Sequence, residues 1–295
     1  MKSNNALGVS VIIPVFNGAR YIRRALFSVL AQDSVATQII VVDGASTDDT
    51  VLMAKSLLRS GDIIISESDE GQLDAVRKGM ALATMPLCYW LNADDLLAPA
   101  ALTVVVAEFE KDENLNFLFS DNWVWDEASK KVFVGQSIRR LLFSDHLFYY
   151  RQIYSECVFW RRSLNDQVRW WDVTLRAATD YALTLQLQAA AGPGRKWLNY
   201  RLGIFTIVAD GDQISRKFRS RVRDEQSLIK RNVSARMGMS ESKFCRRKRL
   251  LFIGFHFRNT FMRRWDQVIR VSKRFFFGDS DRFAVREYIL KIYEK

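Results

Sequence analysis

The chain has 295 residues, 48% of them hydrophobic, which suits one large domain or one domain with an appendage. Its 3 cysteines, Cys88, Cys157 and Cys245, are far apart and odd in number, which excludes a disulfide framework or a CxxC metal site and suits a reducing cytoplasm. The net charge of +11 is uneven: residues 216–295 hold 23 Lys/Arg against 8 Asp/Glu, whereas residues 1–215 hold 21 against 25, a slightly acidic body with a strongly basic tail.

MKSNNALG carries no signal-peptide core, and the near-continuous β-branched run VSVIIPVF (9–16) follows at once, as in a strand buried on both faces. It stops at Asn17-Gly18, and residues 19–32 place Tyr21, Ile22, Ala25, Leu26, Val29 and Leu30 at helical spacing. QIIVVDGAS (38–46) predicts a second strand running into Asp43-Gly44, with a helix over 48–60 that starts at Ser46/Thr47. A third strand over 62–68, a third helix over 73–84 and a fourth strand over 87–92 complete the pattern. Strand–helix alternation of this length predicts an α/β fold with a mostly parallel sheet covered by helices. Ligands in such sheets sit beyond the carboxyl ends of the strands, where Asn17, Asp43, Asp69 and Asp94 converge. No run approaches the roughly 18 uninterrupted apolar residues of a membrane-spanning helix.

WLNADDLL (90–97) sets two adjacent carboxylates at the end of the fourth strand. One reading is a cap on a helix formed by the residues that follow, since Asp is a favoured N-cap. The other is a divalent cation holding a polyphosphate, because Mg²⁺ or Mn²⁺ takes one or two protein carboxylates and completes its shell with phosphate oxygens and water. Neither GxxxxGK[ST] nor GxGxxG follows the first strand, so a nucleotide here relies on metal and side chains rather than a backbone cradle.

VSVIIPVFNGARYIRRALFSVLAQ, IIVVDGASTDDT, SDEGQLDAVRKGMALA and YWLNADD, in this order and spacing, resemble the family 2 inverting glycosyltransferases of the nucleotide-sugar-binding GT-A fold. The likeness continues through SECVFWRRSL, LRAATDYALTLQLQ and GIFTIVADGDQIS, covering residues 8 to 215. It implies transfer of a sugar from a nucleoside-diphosphate donor to a hydroxyl on a saccharide or lipid-linked acceptor, in bacterial surface polysaccharide or glycolipid assembly. It further implies that Asp94 is the ligand of a Mg²⁺ or Mn²⁺ cofactor, with Asn92 standing where another acid is usual. Val15, Asn17, Asp43, Asp69 and Asp74 match donor-binding positions; Gly44 replaces a second acid, and Arg77 stands where Asn is commoner. Asp180 matches the general base. Read without the resemblance, Asp180 is an acid favoured by the dipole at the start of a helix. A sugar-nucleotide pyrophosphorylase is the alternative enzyme, although PVFNGARY lacks the glycine-rich basic loop it needs; a non-enzymatic nucleotide-sugar-binding module is the other class.

Other features divide similarly. Arg161 and Arg162 are phosphate contacts or solvated charges; Trp123/Trp125 and Trp170/Trp171 are core or sugar-stacking groups; His146 and His256 are too isolated for a metal pair or triad. In the tail, Ile253, Phe257, Phe261, Trp265, Val268, Val271 and Phe275 share one helical face, with Arg263, Arg270, Lys273 and Arg274 opposite. That pattern predicts either a helix in an anionic membrane interface, peripheral on the cytoplasmic face of the inner membrane, or one packed on the body. No nucleic-acid motif accompanies the charge, so nucleic acid is not an expected partner. The resulting division is a GT-A domain over 1–215 and a basic helical region over 216–295.

Overall fold

The computed structural model describes residues 7–135, 153–168, 175–209, 220–236, 238, 240 and 279–294. Four parallel strands open the chain: β1 (Val9–Val15), β2 (Thr37–Asp43), β3 (Ile63–Ser66) and β4 (Leu87–Trp90), side by side in the order β3-β2-β1-β4. Val15 pairs with Asp43 and Asp43 with Ser66, so the strands end along one edge. The crossovers carry α1 (Ala19–Leu30), α2 (Thr50–Lys55) and α3 (Gln72–Leu82). Each is shorter than the sequence pattern predicts, α2 most of all; at its start Asp48 accepts from Thr50 N at 3.1 Å, and Asp49 only then leads into the helix.

The chain after β4 departs from expectation. No helix follows Asp95 directly. Instead β5 (Leu96–Leu97) pairs antiparallel with β9 (Arg195–Ile207), and α4 (Ala101–Lys111) begins after Ala100, a left-handed residue at φ 56°. Neither Asp94 nor Asp95 caps a helix: the buried Asp95 carboxylate instead accepts from Thr206 N at 2.9 Å, which fixes the β9 strand beside it. β6 (Phe117–Asp126) pairs with β7 (Lys131–Val134) and β8 (Val158–Arg161) antiparallel and with β9 parallel, and β8 joins this half to β4.

Alternation along the strands sends side chains into two cores. Val11, Ile13, Val41 and Tyr89 face α1 and α4, while Ile12, Val42, Cys88 and Trp90 face α3 and α5 (Thr179–Ala191). Two helices of the basic region close these layers. α6 (Val222–Arg236) adds Ile229 and Val233 to the α5 side, and α7 (Asp279–Tyr293) adds Val285, Ile289 and Ile292 to the α1 side. Tyr293 accepts from Trp125 Nε1 at 3.0 Å and lies under the Arg24 guanidinium, 4.1 Å from its ring centre. The amphipathic pattern around 250–275 lies outside the described residues. No helix among the described residues is long and apolar enough to cross a membrane.

Candidate active site

The loops after β1 and β2 are laced together at the carboxyl edge of the sheet. Asn17 takes a left-handed φ of 48°, a conformation Asn tolerates better than most residues. Its Oδ1 accepts from Thr47 N at 2.9 Å, and its own N–H donates to Ser46 Oγ at 2.7 Å. Gly18 N donates to Thr50 Oγ1 at 2.8 Å and Ala19 N to Asp48 Oδ2 at 3.1 Å, so the second crossover satisfies amides at the start of α1 that have no partner within the helix. Val15 is buried beneath this loop. Asp43 is wholly buried and accepts from Ser46 N at 2.9 Å, from the Ser46 hydroxyl and from Ser66 Oγ at 2.6 Å. It therefore shapes the wall through two serines.

Asp69 completes that wall. It accepts from Gly71 N at 2.8 Å, and its other oxygen would sit 2.8 Å from any Cβ at Gly44. Asp74 is buried and ion-paired: Arg77 Nε donates to it at 3.1 Å and Lys78 Nζ lies at 3.4 Å. Burial alone would raise its pKa, but the Arg77 bond, the Glu70 amide and the Arg77 and Lys78 charges hold it below the ordinary value. Asp74 thus anchors the first turn of α3.

Beyond β4, Asn92 links three elements. Its Oδ1 accepts from Gln72 Nε2 at 3.0 Å, and its Nδ2 donates to Asp95 at 3.3 Å and Ser155 at 3.2 Å. Gln72 in turn accepts from Thr179 Oγ1 at 2.6 Å, tying the start of α3 to the start of α5 and to Asp180. Asp94 is half-buried at the rim of this network.

Glu156, in the short turn Ser155–Cys157 before β8, was not singled out by sequence reasoning. It is buried at 1% exposure and accepts from Asn122 Nδ2 at 3.1 Å. Burial, followed by the charges of Asp180 and Asp94, pushes its carboxyl well up, against the Asn122 bond. Asp95 is likewise raised, by burial first and then by Asp94 and Glu156, despite the Thr206 amide. Glu156 therefore feels Asp94, Asp95 and Asp180, acids that come from the loop after β4 and the first turn of α5. The available sequence signal was an acid inside the apolar run Ile153–Val158.

Other candidates resolve structurally. Arg161 donates to Leu115 O at 2.7 Å and Phe109 O at 3.1 Å, holding the end of α4 rather than a phosphate. Trp123 and Trp125 are buried, as the core reading expects. Trp170, Trp171, His146 and His256 lie outside the described residues.

Residues 10–159 match the family model described as "Glycosyl transferase family 2". The chain belongs to that family. This family 2 glycosyltransferase is 28% identical over 180 residues to a PGL/p-HBAD biosynthesis glycosyltransferase of Mycobacterium bovis, covering 60% of this chain and 68% of the relative. It is 30% identical over 116 residues to the chondroitin synthase of Pasteurella multocida, covering 39% of this chain but 12% of that one. A further relative, an uncharacterized protein of Mycobacterium tuberculosis, is 33% identical over 131 residues, with 42% of this chain and 41% of that protein covered. Among solved structures, Staphylococcus aureus TarS in complex with UDP-GlcNAc superposes with a TM-score of 0.59 at 18% identity, covering 71% of this chain and 61% of that chain. The mannosyltransferase PcManGT of Pyrobaculum calidifontis, in complex with GDP-Man and Mn²⁺, gives 0.58 at 16% identity, covering 83% and 69%. The architecture is thus the GT-A glycosyltransferase fold, and family membership favours glycosyl transfer over pyrophosphorylase chemistry or mere binding.

The acids of the glycosyltransferase site suit a hard dication. They are all carboxylates, the oxygen donors a hard dication prefers, with half-buried Asp94 at the rim and Asp95 and Glu156 buried behind it. The described residues contain no group of three His, Cys, Asp or Glu able to hold a metal by themselves. Mg²⁺ or Mn²⁺ keeps few protein ligands and draws the rest of its shell from phosphate oxygens and water.

Proposed function

We propose that this family 2 enzyme moves a sugar from a nucleoside-diphosphate donor to a hydroxyl acceptor with inversion at the anomeric carbon. The observation that carries the reading is the hydrogen-bond chain from Thr179 through Gln72 and Asn92 to Asp95, which ties the first turn of α5, with Asp180, to the loop after β4 that carries Asp94. The donor lies along the β1–β3 loop wall, where Asn17, Asp69 and the serines backed by Asp43 face the nucleoside. Asp74 and Asn92 set the shape of α3 and its links rather than offering free ligands. Asp94 would hold the cation, which when bound would supply positive charge for the departing diphosphate. Asp180 accepts the acceptor hydroxyl's proton as that oxygen attacks from the face opposite the diphosphate, a role typically worth about 10²–10⁴-fold in rate. Buried, protonated Glu156 spares Asp180 a second full negative charge.

Relatives named for PGL/p-HBAD biosynthesis and as a chondroitin synthase support a saccharide or lipid-linked acceptor in glycan or glycolipid assembly. The basic segment around 244–277 fits attachment to an anionic membrane surface. The test is Asp180→Asn, assayed against UDP- and GDP-sugars with Mn²⁺. Turnover should collapse while donor affinity changes by less than about 1 kcal/mol; near-normal turnover would remove Asp180 from the role.

A further inference from the structure

We infer that Glu225, on a helix outside the segment matched by the family model, is a positioning residue that fixes the backbone presenting Asp180. The inference rests on the reading of Asp180 as the base.

One carboxylate gathers three consecutive amides. Glu225 Oε1 accepts from Arg176 N at 3.0 Å, and its Oε2 accepts from Ala177 N at 2.8 Å and Ala178 N at 2.9 Å. These residues lead directly into Thr179 and Asp180, and Ala178, the residue before α5, supplies no side-chain cap. Charge-assisted bonds of this kind are short and about twice as strong as neutral ones. A carboxylate at the start of a helix also complements the helix dipole.

The start of α5 is held from two sides. From the family-matched segment comes Gln72, which accepts from Thr179 Oγ1 and bonds Asn92 beside Asp95. From the C-terminal region comes Glu225, carried on α6 by the packing of Ile229 and Val233 into the core that contains Tyr181 and Leu185. The first tether fixes the side facing the acids. The second sets how far the turn, and Asp180 with it, reaches toward them. Gly71, at φ +116°, keeps this approach open, since a Cβ there would lie 3.0 Å from the Arg176 guanidinium. Misplacing a reacting group by about 1 Å can cost about 10²-fold in rate, so a residue that touches no substrate can still govern turnover.

Glu225→Gln keeps the length but leaves one acceptor oxygen and points an amide donor at the N–H groups. In the full chain, with whichever UDP- or GDP-sugar is turned over, kcat should fall about 10–100-fold with donor KM nearly unchanged. Glu225→Asp, which keeps both oxygens, should recover part of the loss. In the Asp180→Asn background Glu225→Gln should have no further effect, because the group it positions is already disabled. Hydrogen exchange should speed up at amides 176–181 and nowhere else. Unchanged kcat in a folded variant, a loss that tracks the folded fraction, a loss that multiplies with Asp180→Asn, or unchanged exchange at 176–181 would each overturn the inference. Asp180→Asn alone separates the two ideas: if it retains turnover, the base assignment fails; if it collapses while Glu225→Gln is normal, only the role of Glu225 fails.

Discussion

Asp69 occupies the space that a side chain at Gly44 would need, its Oδ2 standing 2.8 Å from the position of a Cβ there. The second strand therefore ends on a single acid, Asp43, and the neighbouring loop supplies the carboxylate that closes the wall. Gly44→Ala tests this substitution of one loop for another. Overpacking usually costs about 1–3 kcal/mol, but Asp69 is only half-buried and can give way. The expected result is a nearly unchanged melting temperature with nucleoside-diphosphate affinity reduced about tenfold, near 1.4 kcal/mol. Calorimetric titration with UDP and GDP checks it, and an unaltered affinity would separate Asp69 from the donor.

Asp94→Ala addresses the metal. Loss of an outer-shell partner alone typically costs roughly 10–100-fold in metal affinity, so loss of the ligand should cost at least that. Binding of UDP or GDP should lose its Mn²⁺ dependence while circular dichroism stays native, because Asp94 lies at the rim. Persistence of the same Mn²⁺ dependence would place the cation elsewhere.

Glu156 predicts a pH dependence of stability. Its carboxyl is pushed up from an ordinary 4.5 to about 8, so the folded state holds a proton that the unfolded chain releases. Stability from this group is full below the unfolded value and declines as pH rises through the window up to about 8. The slope is at most one proton, about 1.4 kcal/mol per pH unit. Glu156→Gln keeps the acceptor for Asn122 and removes the titration. Urea unfolding in EDTA across pH 5–8 should show the wild type losing stability more steeply than the variant, in which the raised Asp95 still titrates; parallel curves would contradict it.

What the sequence revealed depended on the range of the interactions involved. VSVIIPV and TQIIVVD announce buried parallel strands because both faces of each are covered, and the loops after them carry their own turn residues. Leu96-Leu97 did not announce β5, since its pairing with Gly203 and Ile204 is made across more than a hundred positions. The pattern of residues alone left either acid of NADD free to cap a helix, and only the resemblance singled out Asp94; the Thr206 amide and Asn92 hold Asp95 in the interior. Glu225 sits in a strongly charged, solvent-like stretch, and nothing local marks it as the partner of residues 176–178.

The basic tail yields the final prediction. Its described helices bind the body: Ile229, Val233, Val285, Ile289 and Ile292 are buried in the two cores. At about 1.5–3 kcal/mol for each aliphatic side chain, their removal rivals a domain's whole net stability of about 5–15 kcal/mol. A chain cut near Arg216 should therefore unfold, whatever the intervening segment does, and truncation cannot test membrane attachment. Replacing Arg263, Arg270, Lys273 and Arg274 with Gln leaves the packed helices alone. Each basic residue near an anionic leaflet adds about 1 kcal/mol, screened by salt, and aromatic insertion adds a salt-resistant contribution. The intact protein should co-sediment with phosphatidylserine-containing vesicles, less in high salt and poorly with neutral phosphatidylcholine. The four-Gln variant should lose most of the anionic-vesicle binding while retaining its melting temperature. If the intact protein ignores both kinds of vesicle, the amphipathic segment is a structural brace like its neighbours, and the enzyme reaches its acceptor without it.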